Sequence, residues 1–305
     1  MNLTGRSVTV RVPATSANLG PGFDTLGLAL SVYDEVTVTV RDEPGAFVDV
    51  RGVGEGVVPT DESNLVVRSL AYTFEALGQQ VPGVNILANN VIPHGRGLGS
   101  SGAAVVAGIV AAHGLLDGIV DIDADTLLRI ATELEGHPDN VAPALFGGLT
   151  IAWMEDTGPQ HKKLLVHRGV SPLVFVPQHT LSTKVARSLQ PLSVPHEDAV
   201  FNVSRSALLI AALTQSPELL FAGTEDRLHQ NYRASAMPET GRMVNLLRSH
   251  GFAAVVSGAG PSILVLADGP GQRLEAAELF ATQSETPWES MLLTVDVKGA
   301  STISG

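Results

Sequence analysis

The segment from Pro93 to Ala104 reads PHGRGLGSSGAA and places four glycines and two serines directly before a long apolar run. Glycine tolerates backbone angles that turn several N–H groups toward one point, and a helix start adds unpaired N–H donors and a partial positive charge. These properties predict a cradle for a polyphosphate. Ser100 or Ser101 is then a candidate both for capping the helix and for offering a hydroxyl to a magnesium ion.

The same segment, taken alone, fits a Gly/Ser-rich connection that only caps a core helix about equally well. It differs from a P-loop because no lysine follows the glycines, and the G-x-G-x-x-G spacing of a dinucleotide-binding turn is not met. A third type of phosphate site is therefore the functional interpretation, and the neighbouring motifs have to decide.

A second loop, Pro13 to Gly27, reads PATSANLGPGFDTLG and follows a strand-like alternation. Its turn-forming residues around Asn18 and Asp24 predict a tight loop that exposes backbone, where function concentrates. Asp24 is a candidate for accepting a proton or a hydrogen bond from a substrate hydroxyl. An Asx turn that stabilises the loop itself is an equal alternative.

A third segment, ELEGHPDN, ends a predicted apolar helix. The carboxylates of Glu133 and Glu135 are candidates for a magnesium ion, since hard cations prefer oxygen ligands. His137, Asp139 and Asn140 are candidates for binding a polar substrate. The H-E-x-x-H spacing of a zinc site is absent, and a lone histidine is more often structural.

A fourth segment, SGAGPS at 257–262, separates two apolar strands and contains Gly258 and Gly260. A plain hairpin connection is the simpler interpretation. Together with the first glycine loop, the turn is also predicted to close over a ligand.

Two arginines are candidates for a substrate carboxylate, because a guanidinium fork binds carboxylates with two hydrogen bonds. Thr183 and Arg187 share one face of a predicted helix at i, i+4 spacing, and Arg233 follows in the same half of the chain. Solvated surface arginines are the alternative for both.

The composition excludes several classes of function. The formal net charge is −12, from 31 acidic and 19 basic residues, so no diffuse positive field attracts nucleic acid or anionic lipid. The sequence has no cysteine, which excludes disulfides, thiolate metal sites and cysteine nucleophiles. No apolar run reaches the roughly 20 residues that span a bilayer, and the first 20 residues lack a signal-peptide core. We expect a soluble, cytoplasmic protein.

The elements that position these segments follow an α+β pattern. Period-two alternation predicts strands around Val8–Val12, Val36–Val40 and Phe47–Val50, followed by helices and strands in mixed order. The 305 residues are about twice a typical domain. This length fits two lobes or one large α/β domain with a shared core. Strands mixed with helices after about Ser171 favour two lobes, which we predict as an N-terminal nucleotide-binding lobe over 1–165 and a C-terminal α+β lobe over 166–305.

The individual predictions are helices near 64–77, 100–116, 125–135, 183–189, 197–213, 239–250 and 273–280, and strands near 84–87, 173–176, 253–256, 263–266 and 291–297. The joints between the lobes are expected at Gly147-Gly148 and in the polar stretch 155–160.

Taken in order, PATSANLGPGFD, the PHGRGLGSS loop and SGAGPS resemble the three motifs of the GHMP kinase superfamily. Within it, NLGPGFD and GHPDNVAP are similar to the homoserine kinases. The resemblance runs through almost the whole chain. It implies a two-lobe fold with the active site in the cleft between the lobes, and ATP-dependent phosphorylation of L-homoserine to O-phospho-L-homoserine in threonine biosynthesis.

The resemblance also implies roles for single residues. Adenine would lie near Asn64 and Leu65, and Mg²⁺ between Ser100 or Ser101 and a helix glutamate, with Glu135 preferred to Glu133. The phosphates would lie over the loop residues Pro93, His94, Gly95, Arg96, Gly97, Leu98, Gly99, Ser100, Ser101, Gly102 and Ala103. The amino acid would be held by Asn18, Asp24, His137, Asp139, Asn140, Thr183, Arg187, Arg233, Gly258 and Gly260.

The sequence departs from many superfamily members, which carry a lysine in a Pro-x-Lys start and an aspartate base. Here Thr15 follows Pro13-Ala14, and Asn140 follows Asp139. We therefore expect direct in-line transfer without a strong general base, with Asp24, Asn140 and Arg187 as catalytic candidates. Such a transfer depends mainly on alignment and charge neutralisation.

Two alternatives to this function stay open. One is another GHMP kinase, acting on shikimate, mevalonate or diphosphocytidyl-methylerythritol, because the nucleotide loop would be shared. The other is a nucleotide-binding protein without catalysis. In either case the expected partner is a small molecule, with no nucleic acid and no membrane, and a homodimer is the general expectation for soluble enzymes.

Overall fold

The structure of the protein is a computed structural model that describes residues 3–303. The strands are β1 Ser7–Ala17, β2 Leu26–Arg41, β3 Ala46–Gly52, β4 Gly83–Asn90, β5 Leu149–Glu155, β6 Gly158–Leu164, β7 Val170–Pro177, β8 Ala254–Val256, β9 Ile263–Asp268, β10 Trp288–Leu292 and β11 Ser301–Ile303. The helices are α1 Leu65–Ala76, α2 Ser100–Leu115, α3 Ala124–Glu135, α4 Pro138–Phe146, α5 Thr183–Ser188, α6 His196–Thr214, α7 Leu220–Gly223, α8 Gln230–Arg233, α9 Pro238–Ser249 and α10 Gly269–Gln283. Short 3-10 turns cover Pro217–Leu219 and Ala234–Ala236.

The first sheet is built around the long strand β2. Its order is β11-β1-β2-β4-β3, and β5 joins the beginning of β2 while β6 pairs with β5. The pairs are antiparallel except β3 with β4, which are parallel because α1 forms the crossover between them. The sheet thus carries the loop between β1 and β2 at one end, beside the start of α2.

Helix α2 lies at the centre of the first lobe. Its residues are almost all alanine, valine, isoleucine and glycine, and most of them are fully buried. The helix packs against β1 and also contacts α1, α3 and α4, so it has no polar face toward solvent. Because burial on all sides fixes α2, its N-terminus is held firmly beneath the glycine loop.

The second lobe has an antiparallel sheet in the order β10-β7-β9-β8. Helices α9 and α10 pack on it, and the rings of Phe175 and Phe280 stack in its core at 3.7 Å. The α+β prediction is confirmed. The last strand of the described residues, β11, returns to pair with β1 in the first sheet. The division into 1–165 and 166–305 stays a prediction.

Several predicted elements differ from the observed ones. The polar stretch 155–160, expected as a joint, instead contains the turn of the hairpin β5–β6, and this hairpin was not predicted. Helix α4 was also missed, because Pro138 and Pro143 interrupt its pattern. The strand expected over 291–297 is shifted to β10, and the residues after it contact β2 through Val295. Among residues 3–303, no helix is both long and apolar enough to cross a membrane.

Candidate active site

A polar cleft lies where the two lobes meet. Three of its walls come from the loop after β1, the glycine loop before α2, and the junction of α3 with α4; the opposite wall comes from α5, α8 and the turn after β8. It brings together most of the candidate residues, namely Asn18, Asp24, Gly95, Gly97, Gly99, Ser100, Ser101, Glu135, His137, Asp139, Asn140, Thr183, Arg187, Arg233 and Gly258. Four motifs that are far apart in the sequence therefore share one site.

The glycine loop has the geometry of an anion cradle. Gly95, Gly97 and Gly99 have φ angles of 64°, 76° and 68°, in the left-handed region that favours glycine, and Gly99 is the N-cap of α2. The first N–H groups of the helix therefore face the cleft end of the loop, with the positive end of the helix dipole behind them.

Other residues of the same loop fix it in place. The guanidinium of Arg96 donates to the carbonyl oxygens of Pro177 and Gln178 at 2.8 and 2.7 Å, so its charge is engaged with the second lobe. Leu98 is buried in the core. Pro93, Arg96, Leu98 and Gly102 do not line the cleft, and their assignment to the nucleotide stays a prediction.

An apolar pocket continues from the cleft on the other side of the glycine loop. Asn64, Leu65, His94 and Ala103 line it together with valines of β1, β2 and β3, and Ser100 and Ser101 border both pockets. Asn64 caps α1 by accepting from the N–H of Val66 at 2.9 Å. An apolar pocket that borders an anion cradle suits a nucleotide, with its base in the pocket and its phosphates on the loop.

One helix glutamate points into the cleft and the other does not. Glu135 Oε2 accepts from Ser101 Oγ at 2.9 Å, and burial raises the pKa of Glu135. Glu133 is exposed, where it pairs with Arg129 at 2.9 Å and accepts from the hydroxyl of Tyr72. Within residues 3–303 no group of three or more His, Cys, Asp and Glu side chains could hold a metal ion. A cation here would take one carboxylate, one hydroxyl and ligand oxygens.

Asp24 and Arg187 meet across the cleft. Asp24 accepts from both terminal nitrogens of Arg187, at 3.0 and 3.2 Å, in the two-pronged arrangement that guanidinium and carboxylate prefer. Asp24 has a φ of 54°, and its N–H donates to Asn18 Oδ1 at 3.0 Å. The backbone of the loop is therefore strained at Asp24 but held by this hydrogen bond, and it directs the carboxylate into the cleft. Helix α5 supplies the arginine from the other side.

Arg233 is buried without a carboxylate partner. Its side chain is 2% exposed, and its Nη1 donates to Gly258 O at 3.3 Å, while no acidic group of the described residues forms an ion pair with it. Burial lowers the pKa of Arg233. Because a buried cation is costly unless it is paired, this arginine favours an anionic ligand in the cleft.

Asn140, on α4, is held by a residue of β1. Thr15 Oγ1 donates to Asn140 Oδ1 at 2.9 Å, so the amide NH₂ group is the end left to donate into the cleft. His137 and the buried Asp139 form a hydrogen bond, and this bond raises the pKa of His137. Asn18 donates to Gly258 O at 2.9 Å, whereas Gly260 lies behind the cleft against Met237.

Several residues in or next to the two pockets were not predicted as site residues. Asp34 borders the apolar pocket and accepts from the N–H groups of Val91 and Ile92, and burial raises its pKa. An aspartate inside the mostly apolar strand β2 could have indicated a buried polar site. Thr15 was named only as a departure from the superfamily pattern. His229 was not predicted, because no feature of the sequence around it indicates a buried residue.

Comparison with known proteins gives the class and then the family. The family descriptions "GHMP kinases N terminal domain" and "GHMP kinases C terminal" match residues 64–148 and 206–282. Two lobes around a glycine loop and a cleft, with these matches, define a GHMP kinase.

Single relatives match more of the chain than the two family descriptions do, and they indicate one family within this class. The homoserine kinase of Clavibacter michiganensis subsp. michiganensis is 74% identical over 97% of this chain and 94% of its own, and that of Leifsonia xyli subsp. xyli is 71% identical over 98% and 93%. The crystal structure of homoserine kinase from Cytophaga hutchinsonii superposes with a TM-score of 0.86, at 29% identity, over 97% of both chains. The chain therefore belongs to the homoserine kinase family, and the resemblance seen in its motifs is confirmed.

Proposed function

We propose that the protein transfers the γ-phosphoryl group of ATP to the side-chain hydroxyl of L-homoserine, giving O-phospho-L-homoserine and ADP. The observation that carries the proposal is the pair of neighbouring pockets, one apolar and one polar, which share Ser100 and Ser101 at the start of α2. Homoserine kinases that match nearly the whole chain support the choice of substrate.

The polar cleft suits an amino acid. Arg233 supplies an unpaired buried cation for the carboxylate, and the acidic pair Asp24 and Asp139 supplies acceptors for the ammonium group and the hydroxyl. Thr183 and His137 line the remaining wall. A zwitterion with a hydroxyl at the end of a short chain would have a partner of the right polarity at each end.

The transfer itself would depend on alignment rather than on a strong base. Both oxygens of Asp24 are engaged by Arg187, which fits an orienting role toward the substrate hydroxyl. The amide of Asn140 and the N–H groups of the glycine loop would stabilise negative charge on the transferred phosphoryl group. Closure by the turn at Ser257–Ser262 would exclude water.

Magnesium is part of the proposal. Ser101 and Glu135 offer adjacent hydroxyl and carboxylate oxygens at the helix start, which fit a hard cation that takes its other ligands from phosphates and water. Bound Mg²⁺ would neutralise charge on the phosphates. The choice of Glu135 over Glu133, a cytoplasmic location and a homodimer remain predictions.

The direct test measures ADP release with ATP and Mg²⁺ in separate reactions with L-homoserine, shikimate, mevalonate and galactose. We expect stimulation by L-homoserine alone. Stimulation by another alcohol would favour a different GHMP kinase, and ATP binding without turnover on any substrate would favour a non-catalytic protein. No stimulation by L-homoserine would contradict the proposed function.

A second prediction concerns the threonine that holds Asn140. Thr15→Val removes the only hydroxyl that donates to the amide oxygen of Asn140 within the described residues. Valine has nearly the same shape as threonine, and the site of Thr15 is fully buried. We expect kcat to fall about tenfold, as for loss of one hydrogen bond of about 1.4 kcal/mol, with an unchanged KM for ATP.

Thr15→Ser is the matched control, because it keeps the hydroxyl. Its kcat should stay within about threefold of the wild type. If both variants lose activity equally, the methyl group and its packing matter rather than the hydrogen bond, and the role of Asn140 as an oriented donor is contradicted.

A further inference from the structure

Behind the polar cleft lies a fully buried histidine that takes no direct part in the proposed chemistry. His229 is 0% exposed and is the residue before α8, one helical turn from Arg233. We propose that His229 is a positioning residue that holds Arg233 in place for the substrate carboxylate by staying neutral in one tautomer. This inference rests on the proposed function, since it concerns how the same site binds its amino acid.

The tautomer follows from the partners of the two ring nitrogens. His229 Nε2 lies 2.7 Å from the carbonyl oxygen of Gly20, and a carbonyl can only accept, so Nε2 carries the proton. In a neutral ring Nδ1 is then an acceptor, and it lies 3.5 Å from Arg233 Nη1. The ring thus links the loop after β1 to the guanidinium.

The position of the ring is fixed by a neighbouring aromatic residue. Phe23 stacks on His229 at 5.1 Å between ring centroids, with an angle of 17° between the planes. The same ring of Phe23 lies 5.2 Å from the Cζ atom of Arg233. Since Phe23 directly precedes Asp24, the loop that carries Asp24 and the helix that carries Arg233 are packed together through His229.

The partners of Arg233 share one property, which is that they are neutral. They are Gly258 O, His229 Nδ1 and the amide oxygen of Gln190, which accepts from Nε at 2.8 Å in the orientation that satisfies both ends of this amide. Asp24, Asp226 and Asp139 act on Arg233 through space, but none of them forms an ion pair with it within the described residues. Neutral acceptors therefore orient the guanidinium, and no carboxylate takes the place of the ligand.

The charged groups around His229 favour its neutral state on balance. Asp226 lies 3.6 Å from Nε2, but its oxygens already accept from the N–H groups of residues 228 to 230, just before and at the start of α8. Arg233 faces Nδ1, and Asp24 is the remaining charged group nearby. Burial is the largest influence and lowers the pKa of His229. Protonation would turn Nδ1 into a donor pointing at a guanidinium.

His229→Leu tests the inference, because leucine fills the space but offers neither a donor nor an acceptor. We expect the KM for L-homoserine to rise about tenfold or more, while kcat and the KM for ATP stay within about threefold. His229→Gln, whose amide can both donate to Gly20 O and accept from Arg233, should recover most of the affinity. In an Arg233→Met background, His229→Leu should have no further effect on KM.

A pH profile separates this role from simple packing. Because burial lowers the pKa of His229, the ring should stay neutral at and somewhat below pH 6.5, the ordinary value for histidine, and its protonation should raise the KM of the wild type for L-homoserine only at still lower pH. The His229→Gln variant lacks this titration, so its KM should rise less over the same range. His137 is present in both proteins, and the difference between the two profiles therefore belongs to position 229.

His161→Leu is the matched control. His161 also stacks on a phenylalanine, Phe146 at 3.9 Å, and burial also lowers its pKa, but it lies on the β5–β6 hairpin outside the cleft. Its KM for L-homoserine should stay at the wild-type value. An unchanged KM in His229→Leu, or a rise of the wild-type KM that begins above pH 6.5 and is absent in His229→Gln, would overturn the inference. A wild type inactive on L-homoserine would instead overturn the proposed function.

Discussion

Asp24→Asn is expected to lower kcat by about 100-fold or more while raising the KM for L-homoserine by much less. The carboxylate is proposed to orient the substrate hydroxyl for in-line attack, and a misplacement of about 1 Å can cost two orders of magnitude in rate. Asparagine tolerates the left-handed φ of 54° at this position, so the loop should keep its shape. Steady-state kinetics on both substrates measure the effect.

Stability should change little in the same variant. The Asp24–Arg187 pair is partly exposed, with side chains 37% and 39% accessible, and such pairs contribute about 0 to 1 kcal/mol. Glu225→Gln is a matched control, because Glu225 forms a similar ion pair with Arg205 outside the cleft. A rise in KM with an unchanged kcat for Asp24→Asn would show a binding role and contradict the orienting role.

The sequence predicted the fold where one property dominates a segment. Helix α2 was predicted because its side chains are apolar all round, which only a helix at the centre of a lobe can accommodate. Helix α4 was missed because Pro138 and Pro143 are signs of a loop. Pro138 is tolerated at the first helical position, where no N–H is needed, and the packing of α4 on the sheet outweighs Pro143.

The sequence motifs predicted which residues belong to the candidate site, but they did not predict the contacts between those residues. The sequence placed Asp24 and Arg187 in one site through a family resemblance, but no spacing rule joins two residues 163 positions apart into an ion pair. For Arg233, the sequence allowed a solvated surface residue, and only the fold buries it. His229 was not predicted at all, because its proposed role depends on contacts with Gly20, Phe23 and Arg233 that exist only in the folded protein.

The glycine loop offers the prediction with the largest structural effect. A Cβ atom on Gly97 would lie 2.2 Å from the carbonyl oxygen of Ser257 and 2.9 Å from that of Gly260, and both contacts are with backbone. No side chain can rotate away to relieve them. Gly97→Ala should therefore push the turn after β8 away from the glycine loop. This shift would break the hydrogen bond that Ser257 Oγ donates to Gly97 O, which is 2.6 Å long in the wild type.

We expect this variant to lose phosphorylation activity by at least about 100-fold and to bind ATP more weakly, because the loop amides would no longer converge. Its melting temperature should fall, since the contact joins the two lobes. Isothermal titration with an ATP analogue and thermal unfolding measure the two effects separately.

Gly118→Ala separates backbone strain from this contact between the loops. Gly118 has nearly the same φ, 74° against 76°, but a Cβ atom there would have no neighbour within 4 Å. Both variants should therefore carry the cost of about 1 to 2 kcal/mol for a left-handed alanine. Only Gly97→Ala should add a loss of ATP binding and activity. If the two variants lose stability equally and both keep their activity, the closeness of the two glycine turns has no part in holding the nucleotide loop, and the cleft would have to be shaped by the first lobe alone.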